Sequence, residues 1–224
     1  PGLEDAAFAK SVVYVCEHSE RGALGLVINK PSELSMQSLF EKVDLSLHRE
    51  DLMNAPVLQG GPVHTERGFV LHDAMLVEHP SAAQDAATQQ VPTDVPAEID
   101  AEAQAEAKAE AKALSEVSTQ GDDSGQESVY ASTMTIPGGL EMTTSKDVLE
   151  ALSMGAGPKR VLISLGYSAW GEGQLESELA ENSWLTVGAD LSVIFDTPVE
   201  QRYERAMQLL GLEPWMLSNE VGHS

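Results

Sequence analysis

A long acidic segment in the middle of the chain limits what the rest of it can fold into. Residues 78–128 contain twelve acidic residues and only two lysines, and no aromatic residue occurs between Phe69 and Tyr130. A segment with so little apolar surface and so much charge cannot offset the entropy it would lose on folding. We therefore predict that residues 78–128 are a disordered, alanine-rich insertion, and that residues 1–77 and 129–224 fold together as a single domain.

One part of this insertion has a helical composition. Alanine, which favours helix, occupies every second position in residues 101–113. Glu102, Glu106 and Glu110 lie four residues apart there and repel one another along one helix face. A transient helix in a solvated linker and a docked regulatory helix are both open alternatives.

The composition excludes several classes of protein. The formal net charge of −23 opposes contact with phosphate backbones, so we expect no direct binding of nucleic acid. A single cysteine rules out an internal disulfide, and no apolar run approaches the roughly 20 residues of a membrane-spanning helix. No signal peptide is visible, so the sequence predicts a cytoplasmic protein that is not held in a membrane. We expect it to be a monomer.

Outside the insertion, the apolar pattern predicts a mixed sheet covered by helices. The predicted strands cover residues 11–18, 23–29, 57–61, 68–72, 129–136, 140–143, 160–166 and 191–195. The predicted helices cover residues 35–43, 144–154 and 173–184, and a last helix begins at Thr197. Thr144 and Asp147 have the spacing of a capping box, and Thr197 stands before Pro198 as an N-cap residue. Asn29, at the end of the second predicted strand, is expected to close a turn with its side chain.

Five longer motifs resemble the YqgE/AlgH family of small bacterial proteins. They are SVVYVCEHSERGALGLVINKP at residues 11–31, QGGPV at 59–63, RGFVLH at 67–72, TTSKDVLEAL at 143–152 and LGYSAWGEGQLESELAENSWL at 165–185. The resemblance implies a single α+β domain with a mixed, bifurcated or barrel-like sheet surrounded by helices. It implies a bacterial, cytoplasmic protein with no established activity or catalytic residues. Some members carry the label of transcriptional regulator.

The sequence departs from this family in two places. The usual start of the family, a segment that ends in an apolar strand just before Pro1, is absent. We therefore expect that Pro1 is not the native N-terminus and that one strand of the sheet is missing. The acidic insertion is also far longer than the connection expected at that place.

Cys16 and His18 are the first candidates for chemistry. Strand alternation places both side chains on one face, where the imidazole could activate the thiol as a nucleophile or redox sensor. The alternative is that Cys16 is a small buried apolar residue and that His18 caps a turn. No metal site is expected, because there is no second cysteine and His64, His72 and His79 do not have the spacing of metal ligands.

The segment GYSAW, residues 166–170, follows a predicted buried strand and precedes a predicted helix. This is the context of a G-x-S-x-G nucleophile elbow, but Trp170 stands where the motif requires glycine, which argues against hydrolysis by Ser168. The glycines here match no phosphate-binding motif. Loops between strands and helices often bind ligands, so Tyr167, Ser168, Trp170 and Trp184 are candidates for an aromatic ligand pocket. The alternative is that these aromatic side chains fill the core.

The motifs form no complete catalytic constellation. We therefore expect a non-enzymatic binding or regulatory module that uses no cofactor and acts through a protein or a small ligand. A thiol-based enzyme or redox sensor that uses Cys16 is the alternative function.

Overall fold

One long strand holds together the sheet of this protein. The computed structural model describes residues 8–75 and 128–212. The strands are β1 (Val13–Ser19), β2 (Gly22–Val27), β3 (Pro31–Ser35), β4 (Pro56–Gln59), β5 (Val63–Asp73), β6 (Thr133–Ile136), β7 (Leu140–Thr143) and the long strand β8 (Val161–Trp170). The helices are α1 (Met36–Lys42), α2 (Asp147–Ser153), α3 (Gln174–Ala180) and α4 (Arg202–Leu209). A π-helical turn (Ser192–Asp196) and a 3-10 turn (Val199–Gln201) precede α4.

The sheet branches along β8. On one side, β5 runs antiparallel to β8 over most of its length. On the other side, β4 pairs in parallel with Ser164 and Leu165, and β2 then pairs antiparallel with Ser168, Ala169 and Trp170. Two strands of opposite direction therefore share one edge of β8, and the sheet is mixed and bifurcated as the family resemblance implied.

The two ends of the branched sheet meet. The strand order is β1-β2-β8-β5-β7-β6, so β1 and β6 are its outermost members among the described residues. The hydroxyl group of Tyr14 on β1 donates a hydrogen bond of 2.9 Å to the carbonyl of Pro137, in the turn between β6 and β7. This contact joins the two ends of a curled, barrel-like sheet. The predicted α+β class, with helices around a barrel-like sheet, is confirmed.

Three glycines let two chain segments cross where the sheet branches. Gly60 and Gly61 follow β4, and Gly166 lies inside β8. The N–H of Gly60 donates to the carbonyl of Leu165, and the carbonyl of Gly60 accepts from the N–H of Val27, both at 2.8 Å. A Cβ atom on Gly60 would lie 2.2 Å from the carbonyl oxygen of Gly166, which itself has a φ of +69°. Both positions therefore need glycine.

One apolar core lies between the sheet and the first two helices. Met36 and Phe40 of α1 and Val148 and Leu152 of α2 pack with Ile163 of β8, and all five side chains are buried. On each helix the two buried residues lie four positions apart, which is the spacing of one helix face. The two helices therefore cover this face of the sheet.

The open end of the first hairpin is closed by a side chain. The Oδ1 atom of Asn29 accepts a hydrogen bond from the N–H of Val12 at 2.7 Å, and its Nδ2 donates to the carbonyl of Lys10 at 2.8 Å. The sequence predicts that Asn29 closes a local turn, whereas its side chain instead links the start of the first hairpin strand to the end of the second.

Two elements begin later than the sequence pattern indicates. β6 begins at Thr133 instead of residue 129, because Ser132 has a φ of +49° that interrupts the extended backbone. α2 begins at Asp147 instead of residue 144, and the predicted capping box is wrong. The hydroxyl of Thr144 donates to the carbonyl of Ser132, and the carboxylate of Asp147 accepts from the N–H of Ala131.

The predicted strand at residues 191–195 is also wrong, because these residues enter a π-helical turn. The carboxylate of Asp190 accepts the N–H of Ser192 at 2.8 Å, and the N–H of Thr197 donates to the carbonyl of Ser192 at 2.8 Å. A short apolar run does not distinguish a strand from a buried helical segment. Thr197 does not act as an N-cap residue, because its hydroxyl donates to the same Ser192 carbonyl and a 3-10 turn separates it from α4.

The predicted insertion at residues 78–128 lies outside the described residues, apart from Ser128. Its disorder, the helix within it and the resulting division of the chain stay predictions. None of the helices in the described part of the chain is both long enough and apolar enough to cross a membrane.

We predict that Gly60→Ala destabilises the protein by about 3 kcal/mol, because its methyl group overlaps the backbone of β8 at the branch. Urea denaturation followed by circular dichroism measures this loss. Gly68→Ala is the matched control, since a Cβ atom there meets nothing within 4 Å. Equal stability of the two variants would contradict the proposed role of the crossing.

Candidate functional site

The structure separates Cys16 from His18. The pairing of β1 with β2 skips Cys16, which forms a β-bulge and breaks the alternation of side chains. Cys16 is 2% exposed, and its thiol donates to the carbonyl of Tyr14 at 3.6 Å. His18 is exposed, and its Nε2 lies 2.5 Å from Oε1 of Glu176 on α3. The predicted thiol–imidazole pair is therefore wrong.

The electrostatic environment of Cys16 also opposes reactivity. Burial raises the pKa of the Cys16 thiol to about 12. The thiolate is the nucleophilic form of cysteine, so little of it is present near neutral pH. The structure favours the alternative of a small buried apolar residue and does not support a thiol enzyme or redox sensor.

The GYSAW segment is strand and not loop, which corrects the second site prediction. β8 continues through Trp170 because β2 pairs with its last three residues. Ser168 is buried, and its hydroxyl donates to the carbonyl of Gly60 at 3.3 Å. A nucleophile elbow requires a sharp turn that exposes the serine. The strand therefore excludes that role for Ser168.

Strand alternation also separates the aromatic candidates. Tyr167 points away from Trp170 and contacts the rings of His64 and Phe69, at centroid distances of 5.9 Å and 5.3 Å. Trp170 and Trp184 instead line an apolar groove of about 800 Å³. Neither Tyr167 nor Ser168 lines this groove. Ligand binding by any of these four residues stays a prediction.

The groove lies between the first strand and the C-terminal helices. β1 forms one wall through Val13 and Val15, while α3 and α4 contribute other walls through residues such as Leu179 and Met207. Residues 183–190 complete the lining. Tyr203 and Met207 of α4 therefore face this groove.

A hydrogen-bonded aromatic cluster forms one end of the groove. The Nε1 atoms of Trp170 and Trp184 both donate to Oε2 of Glu178 on α3, at 3.0 Å and 2.7 Å. The two indole rings meet edge to face at 5.9 Å, and the ring of Phe8 packs against both. Burial alone would raise the pKa of Glu178, but the hydrogen bonds from Trp184, Gln174 and Trp170 outweigh it and lower the pKa. Glu178 therefore stays ionised and fixes both indoles.

The edge of the sheet opens into the same groove. Val12 directs its backbone groups towards β2, because its carbonyl accepts the N–H of Ile28 and its N–H donates to Asn29. Backbone groups alternate in direction along a strand. The N–H and C=O groups of Val13 and Val15 therefore point away from β2, where no described strand follows.

The structure contains a buried polar network around His72 that the sequence did not predict. His72, Glu141 and Thr143 are all 0% exposed. The Nε2 of His72 lies 2.9 Å from the hydroxyl of Thr143, and its Nδ1 lies 2.7 Å from the carbonyl of Asp73 and 4.0 Å from Oε2 of Glu141. Glu141 also accepts the N–H of Met75 at 3.0 Å. Cross-strand pairing of β5 and β7 brings these residues together, which their separation in the sequence conceals.

No catalytic or metal centre emerges from these side chains. The His72 network is sealed from solvent. Among residues 8–75 and 128–212, no three His, Cys, Asp or Glu side chains are placed to hold a metal ion. The described part of the chain thus defines an α+β protein with a branched sheet and an open apolar groove along one sheet edge.

Comparison with known proteins agrees with this architecture. The chain belongs to the AlgH-like family, whose model, described as DUF179: AlgH-like, matches residues 1–124 and 110–215. The UPF0301 protein of Paracidovorax citrulli is 66% identical over 225 residues, covering 100% of this chain and 92% of that protein. The UPF0301 protein of an Acidovorax species is 62% identical, covering 100% and 91%. The names of these bacterial relatives state no activity.

Solved structures share the fold. The solution structure of the AlgH protein from Pseudomonas aeruginosa matches with a TM-score of 0.61 and 35% identity, covering 100% of this chain and 91% of that one. A crystal structure of a protein from Corynebacterium diphtheriae matches with a TM-score of 0.55, covering 92% and 81%. At 15% identity the second match shows the fold alone.

The sealed thiol leads to a direct prediction. Native protein at pH 8 is expected to react with iodoacetamide roughly a hundred times more slowly than protein unfolded in urea, because Cys16 must first be exposed by local unfolding. Mass spectrometry of timed samples measures both rates. Ser177→Cys, at an exposed position of α3, supplies a reactive thiol as the control. A native rate for Cys16 near that of the unfolded chain would contradict its burial.

Proposed function

We propose that this protein is a non-enzymatic binding module that regulates a partner protein by holding an extended apolar segment of it beside β1. The observation that carries the proposal is the outer edge of β1, which no described strand covers, along an apolar groove of about 800 Å³. The proposal includes a cytoplasmic location and a monomeric chain, as the sequence led us to expect.

The edge of β1 supports an extended occupant. A peptide that adds a strand to a sheet gains affinity from main-chain hydrogen bonds and specificity from pockets for alternate side chains. The outward backbone groups of Val13 and Val15 supply the hydrogen-bonding groups. The groove beside them supplies space for apolar side chains, within the range of roughly 300–1,000 Å³ typical of ligand sites.

The lining of the groove supports an apolar occupant. Among the described residues that line it, only Lys10 and Asp190 carry a formal charge. Val15, Leu185 and Val187 are 40%, 40% and 42% exposed, which is unusual for neighbouring apolar side chains on one surface. A polar metabolite would find few groups there to fix its orientation.

The charge of the chain supports a protein partner over a nucleic acid. The formal net charge of −23 repels phosphate backbones. Regulation of transcription, the role suggested by the family label, would therefore act through a protein that is itself able to bind DNA.

The test uses a fluorescein-labelled peptide of eight alternating valine and threonine residues, flanked by lysines, and follows its anisotropy as the full chain is added. We expect saturable binding that Val15→Lys weakens roughly tenfold, because the ammonium group enters the apolar wall. Met53→Lys is the matched control, since Met53 is 45% exposed and does not line the groove. It is expected to bind as the parent does.

A second peptide isolates the strand pairing. The same sequence with alternate backbone nitrogens methylated keeps its side chains but cannot pair along one edge, and we expect it to bind at least about tenfold more weakly. Equal binding of both peptides would contradict strand addition. The proposal also fails if neither peptide binds, if only a small apolar dye binds, or if the groove instead holds a second copy in a dimer that Val15→Lys dissociates.

A further inference from the structure

A buried arginine that forms no ion pair with the described residues lines a second cavity of about 270 Å³. Arg202, at the start of α4, is 6% exposed. Its Nε donates to the carbonyl of Thr197 at 3.0 Å, and its Nη1 donates to the carbonyl of Ile28 at 2.5 Å. No ion pair within residues 8–75 and 128–212 includes Arg202.

A largely buried charge without an ion pair among the described residues is costly, which makes Arg202 unusual. Removing a guanidinium from water costs several kcal/mol unless an anion and hydrogen bonds replace the lost hydration. Burial lowers the pKa of Arg202 to about 10, against an opposing effect of Glu200, so the side chain still carries its charge at neutral pH. Two of its five N–H groups are used in the two backbone contacts. The remaining donors are suited to an oxyanion, whose geometry the guanidinium fork matches.

Two of the other charged side chains at the cavity already form ion pairs. Arg160 binds the carboxylate of Asp73 through Nε at 2.8 Å and Nη2 at 2.5 Å, and Asp51 is held by Arg49 at 2.7 Å and 2.6 Å. Two further charged residues line the cavity, Lys159 and Asp196. Arg202 and Lys159 together exceed the single opposing charge of Asp196, so the cavity has a positive balance in a strongly acidic protein.

The remaining lining limits the size and charge of the anion. Leu52, Leu58 and Phe195 give the cavity apolar walls. The carboxylate of Asp196 opposes a dianion, such as a phosphate monoester, more strongly than a monoanion. We propose that this cavity binds a small monocarboxylate with a short apolar chain, its carboxylate on Arg202 and Lys159 and its chain against the apolar walls.

This site is separate from the groove beside β1. Arg202 lies on α4 at the second cavity, whereas Tyr203 and Met207 of the same helix line the groove. Binding of a carboxylate in this cavity therefore does not depend on whether the groove binds a peptide.

The test titrates the full chain with butanoate and with butanamide, an uncharged analogue of the same shape, and follows backbone amide shifts by NMR. Butanoate is expected to shift the amides of residues 196–202 with a Kd in the millimolar range, at least about tenfold tighter than butanamide. Inorganic phosphate at the same concentration is expected to bind more weakly than butanoate.

Three variants test the charges while leaving the backbone contacts of Arg202 in place. Lys159→Met should weaken butanoate binding about threefold or more, and Asp196→Asn should strengthen it by a similar factor. Lys146→Met, away from the cavity, should change nothing. The proposal is overturned if butanamide or phosphate binds as tightly as butanoate, if butanoate does not bind, or if Asp196→Asn fails to strengthen binding.

Discussion

The close crossing of Gly60 and Gly61 over Gly166 and Tyr167 is the contact on which the rest of the fold depends. A Cβ atom on Gly61 would lie 2.2 Å from the carbonyl carbon of Tyr167, and one on Gly60 would lie as close to the carbonyl oxygen of Gly166. Only glycine allows two backbones to approach so closely. At this point β4 leaves the edge of β8 and β2 takes its place.

The position of the groove follows from that exchange of partners. Because β2 pairs with the last residues of β8, its hairpin partner β1 becomes the outer strand of the described sheet. Trp170, the last residue of β8, then faces the space between β1 and α3, where Glu178 holds it together with Trp184. A backbone crossing deep in the sheet thus determines both the strand edge that no described strand covers and the position of the aromatic cluster in the groove.

Local sequence patterns predicted the first hairpin and α1 because these depend on neighbouring residues, whereas the α+β class with a barrel-like sheet was implied by the family resemblance. The β1–β2 hairpin turns between Ser19 and Gly22, close to its predicted turn. The bulge at Cys16 was hidden, since an extra residue leaves the apolar pattern of a strand intact and only its partner strand reveals it. That single bulge overturned the thiol–imidazole hypothesis.

The candidate site depends on contacts between distant residues and was only partly predictable. The sequence of residues 166–170 by itself predicts a loop. These residues are part of β8 because they pair with β2 and β5. Of the three aromatic candidates, Trp170 and Trp184 contact each other, whereas strand alternation sends Tyr167 to the opposite face. The sequence did not indicate that Arg202 is buried, because a charged residue beside an apolar helical stripe is ordinarily solvent-exposed.

Amide hydrogen exchange of the full chain, measured residue by residue by NMR without added peptide, tests the central claim most directly. If the outer edge of β1 is free to bind a partner, the amides of Val13 and Val15 will exchange at least about a hundredfold faster than that of Tyr14, whose N–H faces β2. Equal protection of all three amides would show that the edge is already covered and would contradict the proposed binding surface.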